Sequence, residues 1–290
     1  MTETGDGAAS GSSRDDESRG EIGETDPQAA KGPDRPPALV TGGAVRLGRA
    51  FALHLARRGH DVALHYHSSA DAAEETARMV RTTGRRCETF RADLGDLDSL
   101  GAFFREVWTA FPGLGLLVNN ASVYFERTMA ATTPEELRRC LHVNTAAPWL
   151  LTAAFARGVQ EARTASTGGV VVNIIDNKIH FNQTDYAPYL LSKHGLSEVT
   201  RLSALEFAPD IRVNGIAPGV VMPASSRAPD YVAWRLEGIP VKKQGDSRHL
   251  TKALDYLLDN DFVTGQILTV DGGEGLMKEG RHFGNYYEFR

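Results

Sequence analysis

The chain is poor in cysteine, with only Cys87 and Cys140 among its 290 residues. Two thiols cannot build the disulfide framework of a small secreted protein or a zinc cluster of several thiolates. Long apolar runs are also missing, since no stretch approaches the roughly 18 residues of a membrane span. No apolar signal-peptide core follows the first methionine. We therefore expect a soluble protein of a reducing compartment, the cytoplasm, with no membrane partner.

Most of the chain carries no net charge. The formal net charge of −5 arises in residues 1–36, which hold nine acidic and four basic side chains. Residues 37–290 are neutral overall, so we expect no nucleic-acid partner. Residues 1–36 also lack Leu, Val, Phe, Tyr and Trp, and such a segment buries too little apolar surface to offset its ordering entropy. The composition predicts a disordered acidic tail.

From residue 37 onward, short apolar runs alternate with longer segments of helical periodicity. Strands that are apolar on both faces and separated by helices indicate a parallel sheet covered on both sides. The pattern predicts one doubly wound α/β domain with a seven-stranded parallel sheet. The expected strands are 37–41, 61–66, 86–91, 115–119, 169–175, 211–217 and 266–270. The expected helices are 47–58, 71–83, 96–110, 133–160, 188–207 and 247–259.

The first predicted strand runs directly into a glycine-rich turn, Thr41–Gly48, and then into a helix. A turn of this kind lets backbone N–H groups at a helix N-terminus approach a pyrophosphate. An ordinary tight turn would have the same composition, but this is the place in the fold where a dinucleotide binds. We therefore interpret Gly42 and Gly48 as cofactor-binding residues.

The second predicted strand lacks an acid at its end. Enzymes that prefer NAD place an Asp or Glu there to hold the ribose 2′-hydroxyl. Here the strand ends in His65, Tyr66, His67 and Ser68, and Arg46 lies in the nearby turn. Donors of this kind suit a 2′-phosphate, so the sequence favours NADPH. No further His or Cys follows at ligand spacing, so we expect no metal site.

In the predicted helix 188–207 a tyrosine is followed four residues later by a lysine, and this is the only Tyr-x-x-x-Lys sequence in the chain. Tyr189 and Lys193 share one helix face. A free tyrosine has a pKa near 10, too high for ready proton exchange at neutral pH. We expect the Lys193 ammonium to lower the pKa of Tyr189 and make it a working acid.

These motifs in this order resemble the short-chain dehydrogenase/reductase family. The resemblance rests on Thr41–Gly48, Asn119–Ala121, Tyr189 with Lys193, and Pro218-Gly219, and it spans nearly all of residues 37–276. It implies a Rossmann-like domain in which Asn144 completes a proton relay with Tyr189 and Lys193. The cofactor-binding residues it implies, together with those argued above, are Gly42, Arg46, Leu47, Gly48, Tyr66, His67, Ser68, Asp93, Leu94, Asn119, Ala121, Ser122, Lys193, Pro218 and Gly219.

At two positions the sequence differs from the common family pattern and resembles the pteridine reductases instead. Arg46 stands where most members have a glycine, and Asp176 stands where most have a serine. The resemblance implies that Arg46, Ser122 and Tyr124 contact a pterin, with the Tyr124 ring stacked on it. Asp176 and Tyr189 would then deliver the proton. The resemblance thus implies an NADPH-dependent reductase that acts on the C=N bond of a pterin or dihydrofolate.

Two other functions stay open from the sequence. The first is a carbonyl reductase, for example of a 3-oxoacyl thioester, although the Asp176 carboxylate would repel a developing alkoxide. The second is an NADPH-binding regulator without catalysis, which would not need the complete set of Asn144, Tyr189 and Lys193.

Two further segments carry expectations of their own. Residues 220–245 occupy the family's substrate lid, where Met222, Tyr231 and Trp234 would form an apolar cover. Residues 277–290 are rich in aromatic side chains and are expected to pack on the body or on a neighbouring subunit. By family analogy, the faces of helices 133–160 and 188–207 would join copies into a homodimer or homotetramer.

Overall fold

The computed structural model describes residues 34–162, 168–181, 183–222, 229–277 and 281 of the chain. The expected tail therefore lies outside the described residues except at its end, where the first strand begins at Arg35, two residues earlier than predicted. The aromatic residues expected to pack near the C-terminus lie outside them as well. No helix in the described ranges combines the length and the apolar character that crossing a bilayer would require.

The described residues form a single parallel sheet of seven strands with helices on both faces. The strands are Arg35–Val40 (β1), His60–Tyr66 (β2), Cys87–Arg91 (β3), Leu116–Asn119 (β4), Gly169–Ile174 (β5), Ile211–Pro218 (β6) and Ile267–Val270 (β7). The helices are Arg46–Arg57 (α1), Ala70–Arg81 (α2), Leu100–Ala110 (α3), Pro134–Leu141 (α4), Ala147–Ala162 (α5), Ala187–Phe207 (α6), Pro229–Glu237 (α7) and Ser247–Asp259 (α8). The predicted fold class is confirmed.

The strands lie in the order β3-β2-β1-β4-β5-β6-β7, and every neighbouring pair is parallel. From β1 the strands are added toward one edge of the sheet, and from β4 they are added toward the other edge. A crevice opens at the carboxyl ends of β1 and β4, where this order of addition reverses. All the loops that follow the strands meet at this edge. The glycine-rich turn, the loop after β4 and the loop after β5 are therefore brought together.

The core consists of two apolar layers, one on each face of the sheet. Val40 and Leu64 point to one face, where they pack with Phe51 of α1 and Leu254 of α8. Alternate residues such as Leu39 point to the other face, where α3 and α5 supply the side chains Phe103, Phe104, Leu151 and Phe155. This two-sided burial explains why the strands lack the apolar–polar alternation of a half-exposed sheet.

The long helix predicted over 133–160 is interrupted. After α4, a π-helical turn spans His142–Ala146, and α5 begins only at Ala147. The turn places Asn144, which is fully buried, toward α6. The interruption could not be predicted from periodicity, because one π-turn shifts the pattern by only a single residue. Such turns are frequent at functional sites.

The segment expected to be a lid contains a helix that the sequence analysis did not predict. Helix α7 lies within 220–245. Among the described residues, Val221 and Met222 precede it in the chain, and the loop to α8 follows it. Its Tyr231 side chain is buried, with 8% of the residue exposed. The segment is therefore partly regular structure that packs against the body.

Candidate active site

A cleft of about 710 Å³ opens at the carboxyl edge of the sheet. Its walls come from the glycine-rich turn, the residues after β2 to β6, and α7. Most of the side chains singled out from the sequence line it: Gly42, Arg46, Leu47, Gly48, Tyr66, His67, Ser68, Asp93, Leu94, Ala121, Ser122, Tyr124, Asp176, Tyr189, Lys193, Pro218 and Gly219. Asn119 and Asn144 are not among the lining residues.

A hydrogen-bonded pair lies at the centre of the cleft. The Tyr189 hydroxyl donates to Asp176 Oδ2 at 2.6 Å. The other carboxylate oxygen, Oδ1, accepts from the backbone N–H of Lys178 at 2.9 Å, so Asp176 also caps the short helical turn that follows it. Both oxygens act as acceptors, and the proton of the pair is held at Tyr189.

Burial sets the acidity of this site. It raises the pKa of Tyr189 well above 10, and the neighbouring Asp176 carboxylate raises it further. Burial also lowers the pKa of Lys193 to about 8, although Asp176 partly opposes this. The expectation that Lys193 lowers the pKa of Tyr189 is wrong, because burial and a nearby carboxylate both favour the neutral hydroxyl.

Lys193 is anchored by the sheet. It is buried, with 2% exposed, and its Nζ donates to the carbonyl oxygen of Ile174 at the end of β5 at 2.9 Å. The same Nζ lies 5.7 Å from the centre of the Tyr189 ring. Lys193 therefore shares the wall of the cleft with Tyr189, as the four-residue spacing predicts.

Asn144 acts through the loop that follows β4. Its side chain binds both backbone groups of Val123, accepting from N–H at 2.8 Å and donating to the carbonyl at 2.9 Å. It also donates to Ser192 Oγ at 2.9 Å, next to Lys193 on α6. These bonds use both N–H groups of the amide and one of the two acceptor sites of Oδ1. The side chain therefore positions the wall of the cleft and does not line it.

The glycine-rich turn is built for the close approach of a ligand. Gly42 has a φ of +61°, which favours glycine, and a Cβ there would lie 2.9 Å from the Cα of Ala121. A Cβ on Gly48 would collide with the carbonyl oxygen of Gly42. Side chains are therefore excluded at both positions, and backbone forms the surface of the turn.

A buried histidine that was not assigned a role supports this turn. His65 Nδ1 accepts from the N–H of Gly42 at 3.0 Å, and its Nε2 lies 3.1 Å from the carbonyl oxygen of Ala92. This pattern requires the neutral ring with its hydrogen on Nε2. Burial lowers the pKa of His65 to about 4. His65 thus ties the cofactor turn to the end of β3.

The loop after β4 is bound to the end of β1. The Thr41 hydroxyl accepts from the N–H groups of Asn120 and Ala121 at 2.9 and 3.1 Å. Asn120 Nδ2 in turn donates to the carbonyl oxygens of Thr41 and Gly42. The assignment of Asn119 to the cofactor needs correction. Its buried side chain donates to Asn173 inside the sheet at 2.8 Å, and Asn120 is the asparagine that lines the cleft.

Arg46 adopts a backbone conformation that explains why glycine is common at this position. Its φ is +52°, in the left-handed region. Its guanidinium donates to the carbonyl oxygen of Met222, across the cleft. The Arg46 side chain therefore connects the glycine-rich turn to the start of the lid segment. Its left-handed backbone conformation is strained.

The ends of β2 and β3 form a polar corner. His67 Nε2 lies 3.8 Å from Asp93 Oδ2. Arg139 of α4, which also lines the cleft, donates to both carboxylate oxygens of Asp93 at 2.6 and 2.8 Å. Asp93, one of the expected cofactor-binding residues, lines the cleft. Its carboxylate is also bound by Arg139, which the sequence analysis missed because Arg139 lies 46 positions further along the chain.

One wall of the cleft is aromatic. Tyr124 stacks on Tyr186 with ring centres 4.8 Å apart and meets the Tyr189 ring edge-on at 4.7 Å. The Lys178 ammonium donates to the Tyr124 hydroxyl at 2.9 Å and lies 3.9 Å from the centre of the Tyr186 ring. Tyr124 is 48% exposed and can still offer surface to a ligand. Lys178 was missed as a site residue, because nothing in the sequence indicated that it is buried.

The described residues of the lid segment form another part of the cleft wall. Tyr231, Val232 and Arg235 of α7 line it together with Met222. Trp234, expected in the apolar cover, does not line the cleft; it packs against Tyr231, with ring centres 6.1 Å apart. In the described residues, no three His, Cys, Asp or Glu side chains are grouped as a metal site.

Comparison with known proteins identifies similar chains. The profile of the family described as Enoyl-(Acyl carrier protein) reductase matches residues 43–274. An uncharacterised oxidoreductase of Mycobacterium tuberculosis is 32% identical over 242 residues, which cover 81% of this chain and 90% of that protein. A dihydromonapterin reductase of Citrobacter koseri is 28% identical over 240 residues, covering 83% and 97%.

A solved structure has the same fold. FolM alternative dihydrofolate reductase 1 from Brucella suis, crystallised in complex with NADP, superposes with a TM-score of 0.77 and 32% sequence identity. The superposition covers 84% of this chain and 97% of that one. The fold, the glycine-rich turn and the Tyr189–Lys193 pair agree with the family match, and the chain belongs to the short-chain dehydrogenase/reductase family of oxidoreductases.

Proposed function

We propose that this protein is an NADPH-dependent reductase of a dihydropterin or dihydrofolate C=N bond. The observation that carries the proposal is the hydrogen bond between Asp176 and Tyr189 inside the cleft. A carbonyl reductase needs a neutral donor beside the substrate oxygen, and a carboxylate there would repel the developing negative charge. A ring nitrogen that gains a proton is instead favoured by a neighbouring carboxylate.

The known activities of similar proteins support the same substrate class. The relatives described as dihydromonapterin reductases and as an alternative dihydrofolate reductase act on reduced pteridine rings, by their names. The flat Tyr124 ring, exposed in the cleft and held by Tyr186 and Lys178, suits a flat heterocycle.

The residues of the cleft fit NADPH. Side chains are excluded at Gly42 and Gly48 because they would collide with neighbouring residues. The turn therefore offers backbone N–H groups, which suit phosphates. The end of β2 offers His67, Ser68 and Ser69 to the cleft and no carboxylate, which suits a 2′-phosphate. Pro218 and Gly219 complete the cleft beyond β6.

The proton chemistry belongs to the chain. When bound, NADPH supplies the hydride that reduces the carbon of the C=N bond. Tyr189 and Asp176 hold one proton between Oη and Oδ2, and they deliver it to the ring nitrogen. A C–H and an N–H bond form as the C=N π bond breaks. Lys193 keeps a positive charge beside the pair below about pH 8, and Asn144 fixes the wall around it.

The test is NADPH oxidation by the purified protein with dihydromonapterin, dihydrofolate and an acetoacetyl thioester, with NADH in parallel. We expect turnover of a pteridine substrate with NADPH preferred, and its loss in Tyr189→Phe. Turnover of the thioester alone would identify a carbonyl reductase and overturn the proposal. Binding of NADPH without turnover of any substrate would indicate the regulator.

We also propose that the protein is a cytoplasmic homo-oligomer, a homotetramer or homodimer. Helices α5 and α6 expose Trp149, Leu150, Leu191, Leu202 and Leu205 to 41–80%. A free subunit would not favour so much exposed apolar surface on two adjacent helices. Light scattering after size exclusion will give the mass. We expect Leu205→Glu to shift it toward the monomer, and a monomeric wild-type protein would refute the assembly.

A further inference from the structure

The lid helix α7 brings a buried cation into the wall of the cleft. Arg235 lines the cleft beside Tyr231 and Val232. Only 11% of its side chain is exposed. A guanidinium is costly to bury, so its position needs a specific explanation.

A buried acid holds Arg235 in place. Arg235 Nη2 donates to Glu274 Oε1 at 2.5 Å, and the Glu274 side chain is 1% exposed. The second oxygen, Oε2, accepts from Asn177 Nδ2 at 2.9 Å. Since both partners of the ion pair are buried and fixed, the guanidinium keeps one orientation at the wall of the cleft.

The guanidinium offers more donors than the described residues accept. It carries five N–H groups. Glu274 and the Tyr231 side chain each form a hydrogen bond with the Arg235 side chain. Its Nε has no acceptor among the described residues. Nε itself is enclosed by the protein. The donors left for a ligand are therefore the N–H groups of the two Nη atoms that Glu274 and Tyr231 do not engage.

Hydrogen bonds link this donor to the loop that carries the proton-transfer pair. Asn177 directly follows Asp176, and both line the cleft. Arg235 is therefore linked through Glu274 and Asn177 to the loop that carries the carboxylate. An oxygen of the substrate that binds Arg235 would fix the ring relative to Asp176.

We propose that Arg235 is a specificity-determining residue that donates a hydrogen bond to an uncharged oxygen of the substrate. Glu274 already balances its charge, so a carbonyl or hydroxyl oxygen is favoured over a carboxylate. A pterin carries such oxygens on its ring, at C4, and on hydroxylated side chains. The assignment rests on the proposed pterin reduction.

The test compares Arg235→Lys with the wild type on two substrates. The lysine keeps a charge beside Glu274 but loses the forked set of donors. The substrates are 7,8-dihydromonapterin, with a hydroxylated side chain, and 6-methyl-7,8-dihydropterin, without one. For each, KM and kcat are measured, together with its dissociation constant from the enzyme–NADP⁺ complex.

We expect the pterin KM and dissociation constant to rise about tenfold or more, the loss of one hydrogen bond to a charged donor. The KM for NADPH should stay within about twofold. A rise for both pterins assigns the ring carbonyl, and a rise for dihydromonapterin alone assigns the side chain. Unchanged constants for both would overturn the proposal.

The matched control is Arg281→Lys. Arg281 also holds α7, since it donates to the Trp234 carbonyl and to Glu237, but it does not line the cleft. If Arg281→Lys raises the pterin KM as much as Arg235→Lys does, the position of α7 alone determines pterin binding, and the proposal is refuted. Arg235-dependent pterin binding without turnover would refute only the proposed function, and a wild type that neither binds nor reduces pterins would refute both.

Discussion

The Tyr189 hydroxyl donates a 2.6 Å hydrogen bond to Asp176 Oδ2 across the end of β5 and the start of α6. The Asp176 carboxylate is therefore the hydrogen-bond partner of the Tyr189 hydroxyl, which holds the proton. The pair differs from a tyrosine assisted by lysine alone, because the carboxylate stabilises the neutral hydroxyl and can itself accept or return the proton.

The first prediction concerns this pair. Asp176→Ser should lower kcat for a dihydropterin by about 10²-fold or more, since general acid catalysis contributes factors of this size. Asp176→Asn keeps the acceptor but removes the charge, and it should be similarly impaired. Steady-state NADPH oxidation measures both, with Asp96→Asn, an exposed acid beyond the cleft lining, as control. Unchanged pterin reduction in Asp176→Ser would refute the relay.

The second prediction follows from the buried ammonium of Lys193. Its pKa is lowered from 10.5 to about 8 by burial. The folded protein therefore loses this proton near pH 8, while the unfolded chain keeps it until about pH 10.5. Relative to Lys193→Met, the wild-type free energy of unfolding should rise between these values, by about 3 kcal/mol at most.

Activity should change in the opposite direction over the same interval. As Lys193 loses its charge, kcat/KM should fall with a midpoint near pH 8, whereas Tyr189 stays protonated throughout because its pKa lies well above 10. Chemical denaturation and pH–rate profiles test the two statements separately. A flat rate profile up to pH 10 would contradict the role of the charge.

The third prediction concerns His65. Burial lowers its pKa to about 4, from 6.5, so the ring is neutral at neutral pH and accepts from Gly42. The stability that it contributes is present above pH 6.5 and is lost as pH falls toward 4, with a limit of about 3 kcal/mol. Protonation also removes the acceptor for the cofactor turn.

NADP⁺ affinity measured by titration calorimetry should therefore fall between pH 6.5 and 4 in the wild type. His65→Asn should bind NADP⁺ more weakly at neutral pH and show less of this dependence. His194→Asn, at an exposed position of α6, serves as the control. The same pH dependence in all three proteins would show that another group is responsible.

The fourth prediction separates strain from charge at Arg46. Its left-handed φ of +52° is costly for any residue with a Cβ, by about 1 kcal/mol. Arg46→Gly should therefore be more stable than Arg46→Ala by about this amount, since glycine alone relieves the strain. Both should lose cofactor affinity equally, by about tenfold, because both lack the guanidinium. Unequal affinities would show that turn geometry dominates binding.

The fifth prediction concerns the cation beneath the aromatic wall. Lys178→Met should raise the KM for a dihydropterin several-fold, because the Tyr124 ring loses the bond to its hydroxyl. The KM for NADPH should not change. Tyr124→Phe keeps the ring but removes the same bond, so it should reproduce the effect. Lys252→Met, on the exposed face of α8, provides the control.

The sheet and the cofactor turn could be predicted because their causes are local. The central strands are buried on both faces and are mostly apolar, and Gly42 and Gly48 stand where a side chain would collide with neighbouring backbone. Helix α7 could not be predicted in this way, because Tyr231 is its only buried apolar residue and an apolar stripe is absent.

The remaining errors come from contacts between distant residues. Asn119 and Asn120 are equivalent in sequence, and only the direction of the strand end decides which one faces the cleft. The pKa of Tyr189 depends on how deeply α6 packs, which spacing to Lys193 does not reveal. Lys178 and Arg235 looked like ordinary surface cations until their tertiary neighbours were known.

The bonds that join Thr41 to Asn120 and Ala121 make the glycine-rich turn and the wall beyond β4 one unit. A substitution that reshapes this wall for a new substrate would also disturb the cofactor turn. The lid segment shares none of these bonds, and it meets the turn through the Arg46 side chain. We therefore expect substitutions at Met222 and in α7 to change substrate preference with less effect on cofactor binding than substitutions in the loop after β4.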